Sequence, residues 1–404
     1  MTTMKKRPWW RLTLFVFVML LVEFLDEFAY SALEAARPLI RDSFTLTYVQ
    51  ISLITTVPLF VAIIVEPLVG LYFDDRQRRR LMVFGCLIFG VGLFIQGLSA
   101  AFWMFLIGAS LQAPASGVFV NLAQASLMDH EPKRRENNMA LWTFSGSLAV
   151  VVGPLTLTAV IALGSSWRTL FIAAGVISIL VAVWLARLPS NKAMRSADDE
   201  EDDEPQLSFK ESLQIVGRLL KQAIVWRWLI LLQLSDFMLD ILFGLLALYM
   251  VDVVGVTQAQ AGFAIAIWTG VGLIGDFLLI PLLERVRGLT YLRWSALIIL
   301  ILYPLFLTIE LYWLKLVLLG VIGLFNAGWY AILQGNLYDS LGKNSGSILV
   351  IGNVTGVIGA SIPLLLGFIA EAFGLTIAMW SLIVSPALLF LVLIRVNVEK
   401  ENTG

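Results

Sequence analysis

The succession of apolar runs limits this chain more than any other feature. Runs of membrane-spanning length fall at about 12–36, 49–73, 81–100, 102–128, 138–163 and 168–187. A second set follows at about 226–251, 259–283, 291–309, 313–340, 344–371 and 373–395. Each approaches or exceeds the roughly 20 residues that carry a helix across the hydrocarbon core, and the longer ones have room to tilt. With 59% hydrophobic and 14% charged residues, an ordinary soluble protein is excluded. The pattern predicts an all-α polytopic membrane protein with twelve transmembrane helices. Met1–Leu21 has the outline of a signal peptide, but its apolar run continues and eleven more follow, so it is read as the first helix.

Residues 188–225 form a polar connector between the two sets. It holds the acidic run ADDEEDDEP and then FKESLQIVGRLLKQ, an amphipathic stretch suited to the membrane surface. Residues 1–187 and 226–404 are thus read as two six-helix bundles. Lys and Arg orient them: with the N-terminus in the cytoplasm, 24 of the 28 basic residues lie on that side. Both termini and the connector are expected in the cytoplasm, and the protein in a bacterial inner membrane.

A shift of 210 residues lays polar positions of one set on the other: Asp26 on Asp236, Asp42 on Asp252, Thr47 on Thr257, Gln50 on Gln260, Glu66 on Asp276. Gln124 and Asp129 fall on Gln334 and Asp339 in the same register. A parallel repeat implies two bundles related by an axis along the membrane normal. The net charge of −1 predicts no nucleic-acid partner. A lone Cys86 and a lone His130 predict no disulfide, metal centre or cofactor, and no motif suggests an enzyme. The expected partners are the lipid bilayer and a small-molecule substrate, with the chain acting as a monomer.

VEFLDEFAYSALEAAR, residues 22–37, sits in or just beyond the first run. On a helix its Glu23, Asp26, Glu27, Tyr30, Glu34 and Arg37 fall within about 100° of arc. An acid at the bilayer centre costs roughly 2.5–3.5 kcal/mol, so three in one turn need a wet cavity or each other. The other reading, acids among headgroups, fits poorly with the apolar stretch before Glu23. Carboxylates at i and i+4 lie about 6 Å apart and repel by roughly 2.8 kcal/mol at an effective dielectric of about 20. Glu23, Asp26 and Glu27 should therefore share at least one proton. The seventh run repeats the pattern with Gln233, Asp236 and Asp240. No Lys or Arg falls in the middle of a run, which favours a cationic, zwitterionic or neutral amphipathic substrate over an anion.

GLYFDDRQRRR, residues 70–80, lies between the second and third runs. With the duplicated twelve-helix plan it resembles the first cytoplasmic loop of the major facilitator superfamily, Gly-x-x-x-Asp-Arg-x-Gly-Arg-Arg. Gly70, Asp74, Arg78 and Arg79 match; Asp75 and Gln77 depart. The resemblance implies two bundles that rock about a central site, with a cytoplasmic gate at Gly70, Asp74, Arg78 and Arg79. Glu66 and Asp276 join that gate or, for Glu66 beside Pro67, cap locally. EFLDEF, SFTLTYVQISLITT and EPLVGLYFDD are similar more narrowly to the fosmidomycin-resistance-like exporters. Val120-Asn121-Leu122 stands where that branch has His-Pro-Glu. Gly146 and Gly153-Pro154 match a drug-antiporter motif from which Leu157 and Thr158 depart, and Ala109 replaces the Arg of many proton antiporters.

In that fold the first, fourth, seventh and tenth helices line the cavity. Tyr30, Asn121, Gln124, Asn326, Tyr330 and Gln334 would then surround the substrate, helix-to-helix hydrogen bonding being the alternative for the amides. The expected function is proton-coupled export of small cationic or neutral amphipathic compounds. Glu23, Asp26, Glu27, Asp236 and Asp240 would carry protons and attract the substrate, the proton gradient serving as the energy source. A proton symporter importing a neutral sugar or nucleoside is the alternative, and a membrane sensor or scaffold acting through the connector is a third.

Overall fold

The computed structural model describes residues 13–72, 78–130, 135–187, 221–341 and 348–401. The first bundle holds α1 (Leu14–Phe44), α2 (Tyr48–Tyr72), α3 (Arg78–Leu98), α4 (Phe102–His130), α5 (Arg135–Ala162) and α6 (Trp167–Arg187). The second holds α7 (Ala223–Asp252), α8 (Gln258–Leu283), α9 (Gly288–Thr308), α10 (Tyr312–Asn326 and Trp329–Leu341), α11 (Ile348–Phe373) and α12 (Leu375–Ser381 and Val384–Glu401). Among the described residues, eleven helices are long and apolar enough to cross a membrane. The remaining one, α1, is 31 residues long and carries the acid stripe. The acidic run and most of the connector lie outside the described residues.

Local chemistry sets the helix ends. Thr13 caps α1, its Oγ1 accepting from the Val16 N–H at 3.3 Å. The helix passes through Pro38 and stops at Thr45, a left-handed residue (φ 52°) whose N–H closes on the Arg41 carbonyl. It therefore outruns the predicted end near residue 36. Packed neighbours offset the one backbone bond that Pro38 removes. Reciprocal capping boxes open α2 and α8. Thr47 and Gln50 exchange bonds of 3.0 and 3.2 Å, and Thr257 and Gln260 exchange bonds of 2.9 and 3.3 Å. These are repeat-related positions, so the duplication is expressed in hydrogen bonds as well as in residue identity.

The bundles meet along α2–α11, α5–α8 and α1–α7. Exchanging the repeats turns the first pair into the second, as a pseudo-two-fold requires. Both contacts use a hydroxyl against a glycine: Ser52 of α2 on Gly367 of α11, and Thr158 of α5 on Gly262 of α8. Small residues let the backbones approach where no hydrophobic effect drives helices together.

Two helices are irregular. In α7 the turn Phe237–Ile241 is π-helical; it begins just after Asp236 and contains Asp240. In α10 the ladder breaks at Ala327–Gly328, where Gly328 adopts φ +69°. Asp276 of α8 accepts the freed Gly328 N–H at 3.1 Å, and the Tyr291 hydroxyl of α9 donates to the Ala327 carbonyl at 3.1 Å. Asp276 thus braces a broken helix inside the second bundle.

Candidate functional site

A cavity of about 690 Å³ lies between the bundles, bounded by α1, α2, α4, α7 and α11. That volume suits a drug-sized molecule. The α1 wall presents Asp26, Glu27, Tyr30, Glu34 and Arg37, as the arc in the sequence predicts. Glu23 departs from the expectation. It is buried against Gly146 of α5, where an added methyl would come within 2.6 Å of the Glu23 Oε1. Gly146 leaves room for that carboxylate.

Across the cavity α7 presents Gln233, Asp236 and Asp240. Asp26 lies beside Ser116 of α4, and Asp240 beside the Tyr30 phenol, which also packs edge-on to Phe243 with centroids 5.6 Å apart. Glu66 projects from α2 into the space left by Gly117 of α4 and lines the same cavity. It is therefore a sixth carboxylate lining the cavity. Gln112, Ser116 and Thr55 are further polar lining groups that the periodicity did not single out.

No Lys or Arg was expected in the middle of a run, but α1 continues past residue 36 and brings Arg37 to the cavity. Its Nε and Nη2 donate to the two Glu34 oxygens at 2.5 and 2.7 Å, and Nη2 also donates to Thr55 Oγ1 at 2.5 Å. Both partners are buried. The pair rests on Gly244 of α7, where an added methyl would stand 3.1 Å from Glu34 Oε2. Because Glu34 neutralises the guanidinium, the remaining carboxylates keep the cavity acidic. Lys315 is likewise buried, within α10 and away from the cavity. Its Nζ donates to the Phe306 carbonyl at 2.6 Å and lies 4.8 Å above the Phe306 ring.

The amides expected around the substrate are elsewhere. Asn121 donates to the Gly117 carbonyl one turn back at 2.6 Å, and Gln124 to the Met139 sulfur at 3.8 Å. Asn326 donates across to the Met238 carbonyl of α7 at 2.9 Å. Neither Tyr330, half exposed, nor Gln334 lines the cavity. On the α10 side, the break ties that helix to α7, α8 and α9. The small-residue face of α11 (Gly356, Gly359, Ala360 and Gly367) lines the cavity instead.

Polar bonds between the bundles gather at the face carrying the α1–α2 turn. Arg41 pairs with both Asp42 and Asp252, the two repeat-related acids. The Tyr48 hydroxyl donates to Asp252 Oδ2 at 2.8 Å, and the Tyr48 N–H to Glu371 Oε2 of α11 at 2.8 Å. Tyr48 also lines the cavity, so this layer is its floor. At the other face, Arg78 donates to Asp129 at 2.7 Å, and Arg79 to the Leu185 carbonyl at 3.3 Å. These bonds join α3 to α4 and α6 within the first bundle. Gly70 sits in the last turns of α2, and Asp74 lies outside the described residues.

The Arg41–Asp252 pair is partly exposed, at 18% and 15%, so its breakage costs about 0.5–1 kcal/mol. Asp252→Asn is expected to raise by about two- to fivefold the labelling of a thiol placed at Ser52 by a reagent added to the floor side. Exchanging the charges, with Arg41→Asp and Asp252→Arg together, should return labelling to its starting level. Equal labelling in all three proteins would show that the pair does not hold the floor.

Known proteins place this architecture. A bacterial homologue of the human lysosomal transporter Spinster superimposes with a TM-score of 0.73 at 16% identity, covering 94% of each chain. The nucleoside transporter NupG superimposes with a TM-score of 0.75 at 11% identity, covering 95% of this chain and 99% of its own. Likeness at such identities is a likeness of fold. In sequence the chain is similar to the multidrug efflux pump SdrM of Staphylococcus aureus (strain N315), 26% identical over 183 residues. It is also similar to the fosmidomycin resistance protein of Escherichia coli (strain K12), 24% identical over 164 residues. The matches span 44% and 40% of this chain and 40% of each relative. The Major Facilitator Superfamily model matches residues 19–362, and with two repeat-related bundles about a polar cavity, the chain belongs to that superfamily.

Proposed function

We propose that this transporter exchanges protons for small cationic or neutral amphipathic compounds and moves them outward. The observation that carries the reading is the gathering of carboxylates from both bundles, Asp26, Glu27 and Glu66 with Asp236 and Asp240, on one cavity whose single lining guanidinium is already neutralised. Carboxylates confined together out of bulk water compete for protons. A cation entering the cavity replaces a shared proton, and rocking of the bundles exposes the site to the other side. The same charge argument that orients the chain puts the termini in the cytoplasm of a bacterial inner membrane. The floor at Arg41, Tyr48 and Asp252 is then periplasmic. Sequence similarity to a multidrug efflux pump and to a fosmidomycin resistance protein supports export.

The test uses inside-out vesicles with an acidified interior and a pH-sensitive dye. Ethidium, tetraphenylphosphonium and a panel of uncharged drugs are added in turn. Proton release on addition, absent from vesicles lacking the protein, is the expected result. Silence across the panel, together with proton-driven accumulation of a sugar or nucleoside in right-side-out vesicles, would replace export with import.

A further inference from the structure

We infer that Asn326 is a positioning residue for α7: its amide holds open the π-helical turn that carries Asp240 and sets the register of the helix beyond it. The inference rests on the proton-exchange reading for its functional meaning and on geometry alone for its structural content. The π turn Phe237–Ile241 begins one residue after Asp236 and contains Asp240. Inserting one residue into a helical ladder rotates everything beyond it by about 100°, and π turns persist where a partner satisfies the loosened backbone. Asn326 supplies that partner, its Nδ2 donating to the Met238 carbonyl within the turn at 2.9 Å.

The amide is held in place for this. Asn326 is the last residue of the first half of α10 and is 4% exposed. Its Oδ1 is buried without a hydrogen bond, so the side chain is oriented by its donor alone. The segment that carries it is pinned by Asp276 at Gly328, by Tyr291 at Ala327, and by Trp329, whose Nε1 donates to Ser295 at 2.8 Å. A break in one helix thereby sets the register of another. Beyond the turn, Gly244, Leu245 and Leu248 line the cavity while Leu246 and Ala247 are buried away from it.

Thiol accessibility tests this without any transported substrate. Gln233→Cys reports a cavity position before the turn and Leu245→Cys one beyond it, each in a Cys86→Ala background and labelled with a water-soluble methanethiosulfonate. Adding Asn326→Leu removes the donor at nearly constant volume. The thiol at 245 is expected to lose at least threefold in labelling rate while that at 233 is unchanged, and Asn326→Gln, which keeps an amide, should recover most of the rate. If Asn326→Leu fails to insert, Asn326→Ser, too short to reach Met238, carries the same comparison. Unchanged labelling at 245, or parallel changes at 233 and 245, would overturn the inference by reducing Asn326 to an ordinary packing contact. Failure of proton exchange in vesicles, with the register change still seen, would instead strike the functional reading and leave the positioning role intact.

Discussion

Glu34→Gln is expected to be the most destabilising single substitution at the cavity. It strands Arg37, which is fully charged at any accessible pH and loses its counter-charge and one of the two Glu34 acceptors, keeping only the amide oxygen and Thr55. Removing one partner of a buried pair costs about 3–5 kcal/mol. Arg37→Gln should cost less, because a stranded carboxylate is able to take up a proton whereas a guanidinium has none to lose. Removing both charges should recover most of the loss. Thermal unfolding in detergent, followed by the fluorescence of the 13 tryptophans, reads all three. Equal losses in the two single variants would show that the pair is not the isolated buried unit described, and that Asp240 or another acid takes over one of its partners.

Neutralising Asp26 or Glu27 is expected to abolish coupling while sparing the fold. Asp26→Asn keeps a partner for Ser116, and Glu27→Gln keeps the side-chain volume. Both remove a group that competes for the cavity proton. Proton release driven by ethidium should fall at least about tenfold, equivalent to about 1.4 kcal/mol. Exchange of labelled for unlabelled ethidium at equal pH on both sides should continue. That split separates proton coupling from substrate entry. If either variant retained full proton release, that carboxylate would be excluded as the carrier and the role would pass to Asp236, Asp240 or Glu66.

Much of the site was legible because helical periodicity constrains membrane sequences tightly. An acid must find water or a partner, so a narrow polar arc in an apolar run has few places to point. Asp26, Glu27 and Tyr30 on α1, and Asp236 and Asp240 on α7, were placed that way and line the cavity. Glu23 lies on the same arc but packs against α5, since whether it faces the cavity or α5 depends on the space left by Gly146. The arc does not say which neighbour stands opposite.

Uncharged amides were the weak point. Asn and Gln satisfy themselves on a nearby carbonyl as readily as on a ligand, as Asn121 does on Gly117 and Asn326 on Met238. Glu66 and Asp276 occupy equivalent positions in the repeat yet do different things. One lines the cavity, and the other caps the break in α10.

The sequence by itself determined the class, the helix count, the duplication and the acidity of the central site. These follow from hydropathy, from residue spacing and from the cost of charge in hydrocarbon. Only the tertiary structure decided that α11 rather than α10 completes the cavity wall. It also showed Arg37 neutralised by Glu34 and Arg41 bridging Asp42 to Asp252 across the bundles. The physical reason is that the ion pairs depend on which side chains stand opposite one another, and the wall on two backbone irregularities, the π turn of α7 and the break of α10. Each is stabilised by side chains from other helices, distant in the chain, and leaves no periodic trace in its own segment.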